Sequence, residues 1–236
     1  MNRLVMMVMK NILRLPGLYA KLCHYAKHTD EYPEQEKYDH ISHIMQLAVQ
    51  SGNVNLIVTG EENIPTEGGF VMYGNHQGLF DVVALVATCK IPLAAVFKKE
   101  LLGVPLLQQI IDCTKSFAMD REDVRQSLTV IQNVTEEVKK GRHYVIFPEG
   151  TRSKKGNVMG EFHGGSFRAA VKAKCPIVPI TFIDCFKVLD QKGSKPVTVQ
   201  MHIMQPIPYE EYGSMKTTEI AAMVKARIQA VIDANT

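Results

Sequence analysis

The chain has no apolar run long enough to cross a bilayer as a helix. Its nearest approaches are Leu4–Met9, six residues, and Val82–Phe97, 16 residues interrupted by Lys90 and Pro92, against roughly 20 for a spanning helix. The second stretch reads as helix, turn and buried strand, with a re-entrant segment as the alternative. The N-terminus lacks both the longer apolar core and the small-residue cleavage site of a signal peptide. Five cysteines without paired spacing, and no secretory signal, suit reduced thiols in a cytosolic setting. Neither a Walker-type Gly-Lys-Ser/Thr loop nor a Rossmann glycine triplet is present, which argues against a nucleotide-binding enzyme. His24 with His28 and His40 with His43 have helical spacing, but no Cys or carboxylate constellation accompanies them. They read as surface histidines. Internal repeats and low-complexity tracts are absent as well.

Acidic residues are missing from one segment in particular. Residues 1–29 hold Arg3, Lys10, Arg14, Lys21 and Lys27 and no acid, whereas the remainder carries 22 basic and 24 acidic side chains. The arm therefore carries +5 and the remainder −2, which together give the net +3. At about 100° per residue, Arg3, Lys10, Arg14 and Lys21 fall near one meridian of a helix, and Val5, Val8, Ile12, Leu15 and Tyr19 gather opposite. Pro16-Gly17 is expected to break the stretch into two helices. Such an arm predicts an interfacial helix whose basic face meets an anionic membrane surface. The competing reading is a helix packed on its own domain.

What is present beyond the arm is one sizeable core: 236 residues, 46% hydrophobic, suffice for a single globular domain with a small helical appendage. Pro33–Gln50 reads as a helix with Ile41, Ile44, Met45 and Ala48 on its apolar face. Strands are predicted at 55–59, 70–73, 93–97, 116–119, 143–147, 177–183 and 197–204. Helices fall between them at 82–89, 122–140 and 166–173, with a last one at 216–234. Strands separated by helical patterns predict a layered α/β fold with a mainly parallel or mixed sheet flanked by helices. The last strand alternates in polarity and is placed at an edge.

Two short polar segments carry the chemistry: Asn75-His76-Gln77-Gly78-Leu79-Phe80-Asp81 and Phe147-Pro148-Glu149-Gly150-Thr151-Arg152. Five residues apart in one helix, His76 and Asp81 would splay by roughly 140°. They can meet only if His76 sits in the turn before a helix and Asp81 in its first turn, where a carboxylate also suits the macrodipole. The acid then holds one ring nitrogen and leaves the other to take a proton. With eight His and nine Asp in the chain, this spacing arises by chance in roughly one such chain in three, so the pair alone also fits a capping or core histidine. The second segment offers one acid and one guanidinium, suited to a polyol phosphate. Together they predict transfer of a group onto a hydroxyl of a phosphorylated substrate.

In the order of its motifs the chain resembles the glycerolipid acyltransferases, among them the lysophosphatidate acyltransferases. Asn75-His76 through Asp81 matches the first block of that family. Lys98-Lys99-Glu100-Leu101 with Pro105, closing at Asp120-Arg121, is similar to the second. Phe147 through Ser153 matches the third, and Cys175-Pro176-Ile177-Val178-Pro179-Ile180 is similar to the fourth. The likeness spans roughly residues 55 to 183. Two departures stand out. Gln108, Gln109 and Cys113-Thr114 occupy a region where the family usually has glycines, and His163-Gly164-Gly165 stands where a lysine often precedes a glycine. Both bear on which acceptor lipid is used.

The resemblance implies acyl transfer from a thioester to a lipid hydroxyl, with His76 as base and Asp81 as its partner. It implies that Glu149, Gly150, Arg121 and Arg152 contact a glycerol phosphate; Asn75, Gly78 and Thr151, in the same motifs, are placed with the substrate-binding set. Lys98 joins them because it follows an apolar run and falls at a strand end, where α/β proteins bind ligands. Two arginine forks grip a phosphate as lysines cannot. Backbone N–H groups near Gly78 or Gly150 are the expected oxyanion donors. The scheme needs no covalent acyl-enzyme, metal or organic cofactor. Residues 1–52 are expected to form a helical membrane-associating arm and 53–236 the acyltransferase domain. The expected partners are a lysophospholipid acceptor, acyl-CoA or acyl carrier protein as donor, and the cytoplasmic face of a membrane bound peripherally; nucleic acid is not among them. Alternative acceptors are glycerol 3-phosphate, another lysolipid or an amino-acid lipid. The competing class is a thioesterase or esterase, which gives the arginines no role.

Overall fold

The computed structural model describes residues 2–120 and 122–236. Arg121, one of the two expected phosphate ligands, lies outside the described residues. Three helices come first: α1 (Arg3–Lys10), α2 (Leu15–Lys27) and α3 (Glu34–Ser51). Then follow β1 (Val54–Thr59), β2 (Phe70–Gly74), α4 (Phe80–Thr88), β3 (Leu93–Lys98), α5 (Leu107–Thr114), β4 (Phe117–Met119), α6 (Val124–Lys139) and β5 (His143–Ile146). The chain closes with α7 (Arg168–Ala173), β6 (Ile177–Ile183), α8 (Phe186–Leu189), β7 (Val197–Ile203), α9 (Tyr209–Tyr212) and α10 (Thr217–Asn235).

The strands form one seven-stranded sheet in the order β1-β7-β6-β2-β5-β3-β4. All neighbours are parallel except β6 and β7. The central strand β2 is buried throughout, and its alternation divides the core. Val71 and Tyr73 join the apolar faces of α6, α7 and α10. Phe70 and Met72 join α4, Tyr38 of α3 and Met7 of α1 on the other side. A third small cluster, Leu22, Tyr25, Ile41 and Cys113, seals α2 and α3 onto α5.

Two expectations change. The last strand is not an edge, because β1 pairs along it from Val54↔Val197 to Thr59↔His202. Its alternation reflects faces of unequal cover: Val199, Met201 and Ile203 are buried and the residues between them are not. The arm also breaks earlier than Pro16-Gly17. A turn at 11–14 separates the helices, and Pro16 lies in the first turn of α2, where a missing N–H leaves nothing unbonded. The stretch 82–97 is resolved as helix and sheet strand, so the re-entrant alternative falls away.

The arm departs further from its helical-wheel reading. Arg3 is buried, and its guanidinium donates to the carbonyls of Lys187 at 2.9 Å, Val188 at 2.8 Å and Lys195 at 2.5 Å. Lys10 Nζ reaches Asn53 Oδ1 at 3.3 Å. The apolar face is the exposed one: Leu4, Val5, Val8, Met9 and Ile12 face outward, and Leu13 is 95% exposed. Among the described residues no helix is long and apolar enough to cross a membrane.

Candidate active site

Parallel strands deliver their carboxyl ends to one edge of the sheet, the usual place for a site in such folds. Here β2 ends at Gly74, β5 at Ile146, β3 at Lys98 and β6 at Ile183. Both polar motifs therefore leave the sheet side by side, and Lys98 ends the next strand over.

His76 lies in the turn after β2, and Asp81 sits in the first turn of α4, as the spacing requires. The ring Nδ1 is 2.8 Å from Asp81 Oδ2. The same oxygen accepts from the backbone N–H of Gln77 at 2.6 Å and of Gly78 at 3.0 Å. With two N–H groups already aimed at it, Oδ2 can only accept. Nδ1 must then carry the proton, leaving Nε2 with its lone pair. The imidazole lies over Phe147, ring centroids 4.2 Å apart, so its orientation is fixed on a second side. Asp81 is fully buried, and burial pushes its carboxyl above the ordinary value while the His76 bond and the two N–H groups pull it down. Its other oxygen, Oδ1, has no hydrogen-bond partner among the described residues.

The second motif holds the first. Glu149 Oε1 accepts from the N–H of His76 at 2.7 Å, and Oε2 accepts from Gly160 N–H at 2.6 Å. Ser153 N–H donates to the His76 carbonyl at 2.7 Å. The backbone of the base is thus clamped on both sides. Gly150 makes the turn between these contacts with φ +70°, which glycine adopts without strain. Both Glu149 oxygens are occupied by backbone donors, so the carboxylate acts here as a brace. Burial raises it above the ordinary carboxylate value, against those two bonds.

The other expected site residues divide. Asn75 is buried, and its carboxamide bonds both the N–H and the carbonyl of Phe182 at 2.8 Å, extending the β2–β6 pairing. The N–H of Gly78 is spent on Asp81 and that of Gly150 on the Phe147 carbonyl at 3.0 Å. Neither glycine's own N–H is free for an oxyanion, which leaves the neighbours of Gly150 as the expected donors. Thr151 and Arg152 follow on the same turn, and their N–H groups carry no protein bond among the described residues. Arg152 Nη1 is 2.9 Å from Asp190 Oδ1. Lys98 Nζ pairs with Glu100 at 2.8 Å.

Sequence reasoning passed over a buried polar chain beneath the base. Gln77 accepts from Cys185 N–H at 2.9 Å and donates to Asn157 Oδ1 at 2.6 Å. Asn157 in turn holds the N–H and carboxylate of Asp184, at 2.9 and 3.0 Å. Asp184 takes φ +65°, a conformation that needs such support. Beside Glu149 opens a cleft of about 660 Å³. Its floor is apolar, with Val96, Met119, Leu128, Ile131 and Phe147; Lys98, His163 and Arg168 stand among its polar lining.

The sequence profile of the acyltransferase family matches residues 55–183, and the chain belongs to that family. Similar proteins include the 1-acyl-sn-glycerol-3-phosphate acyltransferase of Salmonella typhimurium, 30% identical over 166 residues covering 70% of this chain and 67% of that protein. The enzyme of the same name from Saccharomyces cerevisiae is 28% identical over 187 residues, 78% of this chain and 60% of its own length. The crystal structure of the 1-acyl-sn-glycerophosphate acyltransferase from Thermotoga maritima shares the fold, with a TM-score of 0.71, 20% identity and coverage of 97% and 98%.

Proposed function

We propose that this protein transfers a fatty acyl group from an acyl thioester to the free hydroxyl of a lysophosphatidate-type acceptor, forming phosphatidic acid. The observation that carries this reading is the imidazole of His76, oriented by Asp81 at 2.8 Å and held by its backbone to the motif that bears Arg152. The acceptor alcohol is too weak an acid to be ionised beforehand. Its proton passes to Nε2 as the oxygen attacks, and positioned base catalysis of this kind contributes about 10²–10⁴-fold. The new C–O bond forms, the C–S bond breaks, and the proton returns from His76 to the departing thiolate. The ionised Asp81 stabilises the imidazolium between these events. Arg152, with Arg121, receives the acceptor's phosphate. The unbonded N–H groups of Thr151 and Arg152 are the oxyanion donors that best suit this turn, worth roughly 3 kcal/mol for one donor.

The apolar floor of the cleft accommodates an acyl chain, and Lys98 and Arg168 beside it suit an anionic donor, coenzyme A or acyl carrier protein. Lipid substrates place the reaction at a bilayer. The exposed apolar face of α1 supports peripheral attachment there, at the cytoplasmic side, with Lys10, Arg14 and Lys21 exposed beside it. The purified protein, given a labelled acyl thioester and lysophosphatidate, should yield diacyl product and free thiol together. Thiol release that is independent of acceptor would overturn the reading in favour of a hydrolase. Substituting glycerol 3-phosphate or other lysolipids in the same assay identifies the acceptor headgroup.

A further inference from the structure

The segment between β6 and β7 touches both the acceptor side of the site and the N-terminal arm. Its one-turn helix α8 ends at Asp190, the C-cap residue. Asp190 binds Arg152 through Oδ1 at 2.9 Å, and its other oxygen lies against Gly78, filling the space a side chain there would take. Nη1 is the nitrogen of Arg152 that makes this contact; Nε and Nη2 have no bonded partner among the described residues.

The segment that carries α8 is also held by Arg3. Its fork closes on the carbonyls of Lys187 and Val188, two of the last carbonyls of that turn, and on Lys195 further along the segment. A cation at a helix C-terminus is favourable, and a planar fork can meet several carbonyls at once where an ammonium cannot. Asn53 adds a second tie, to the Ser194 carbonyl at 3.1 Å and the Met6 sulfur at 3.6 Å. Arg3 belongs to α1, whose apolar face is exposed. One short helix therefore connects the arm to the Arg152 guanidinium, on the motif that clamps His76.

We infer that Arg3 and Asp190 are positioning residues for acceptor capture: Arg3 fixes α8, α8 fixes Asp190, and Asp190 aims Arg152 so that its unpaired edge meets the phosphate. This rests on the reading of Arg152 as a phosphate ligand. The Arg152–Asp190 pair is partly exposed, and pairs of that kind carry modest energies, so the expected effects are small and specific.

The test measures KM for acceptor, KM for donor and kcat, using a short-chain acceptor below its micelle concentration so that membrane attachment does not enter. Asp190→Asn and Arg3→Gln are each expected to raise the acceptor KM roughly two- to fivefold, with donor KM and kcat nearly unchanged. The double variant should be no worse than the poorer single one, and neither change should add to Arg152→Gln. Should Arg3→Gln fold poorly, as its melting temperature reveals, Arg3→Lys keeps the charge, loses the fork and should show the same selective rise. Additive effects, a fall in acceptor KM for Asp190→Asn, or an Arg3 variant that alters only vesicle association would each overturn the relay while Arg152→Gln still weakens the acceptor. An Arg152→Gln variant with unchanged acceptor KM overturns the underlying phosphate reading, and the relay with it.

Discussion

Glu149 accepts one hydrogen bond from the backbone N–H of His76 and a second from that of Gly160, at 2.7 and 2.6 Å. A buried carboxylate thus ties the turn that bears the base to two points of the segment after β5. Removing it as Glu149→Ala strands both N–H groups in a nearly buried site, and an unsatisfied buried donor costs about 1–3 kcal/mol. The expected outcome is a lower denaturation midpoint and a lower kcat, with donor KM little changed. If stability were untouched and only acceptor KM rose, Glu149 would be a substrate ligand instead of a brace.

His76 and Asp81 separate cleanly by experiment. His76→Ala should lose about 10²–10⁴-fold in turnover while acceptor binding, measured directly, persists. Asp81→Asn should lose activity on a similar scale and yet gain stability near neutral pH. Burial raises the Asp81 carboxyl above its ordinary value, so the folded state binds this proton more tightly than the unfolded chain does. Stability from this group is present below the unfolded pKa and is lost as pH rises through the raised, folded one. Asparagine removes that loss, and its carbonyl can take the place of Oδ2 in accepting from His76, Gln77 and Gly78. Denaturant melts across the acid range check this. A wild type whose stability climbs with pH relative to Asp81→Asn would contradict it.

The base pair and most of the sheet were legible in the sequence because each has a short-range signature. The strand 177–183 is bounded as expected because its run, apolar but for Thr181, is fully buried on both faces. His76 and Asp81 meet because the five-residue spacing admits few other geometries. What stayed hidden depends on distant partners. Gln77 finds Asn157 and Cys185 across 80 and 108 residues, and nothing local marks those pairings. Asn75 and Glu149 were recognisable as motif residues, but not that backbone groups would occupy them. Arg3 was misread for a related reason. A helical wheel assumes that cations face water, whereas the two terminal nitrogens of this guanidinium donate to three carbonyls of the protein.

Arg152 should govern acceptor affinity in preference to chemistry. Charge-assisted hydrogen bonds are worth roughly 1.5–3 kcal/mol, so Arg152→Ala is expected to raise acceptor KM roughly tenfold or more and to leave donor KM in place. Arg152→Lys should recover only part of this, since an ammonium cannot present a planar fork to phosphate. Full recovery by lysine would mean that the site needs charge alone.

The last prediction concerns the arm. Val8 and Ile12 are 43% and 52% exposed, and the α1 residues buried against the domain are Arg3, Met6 and Met7. Glutamate at positions 8 and 12 should therefore leave the fold and its melting temperature nearly unchanged. At an anionic surface each basic residue contributes about 1 kcal/mol, and two new acids oppose that attraction while removing apolar area from the interface. Co-sedimentation with anionic vesicles should drop sharply, and activity on vesicle-borne acceptor should fall with it. Activity on a short-chain soluble acceptor should persist, because Arg3 still holds α8 in place. Undiminished vesicle binding by the double variant would refute the assignment of this face to the membrane.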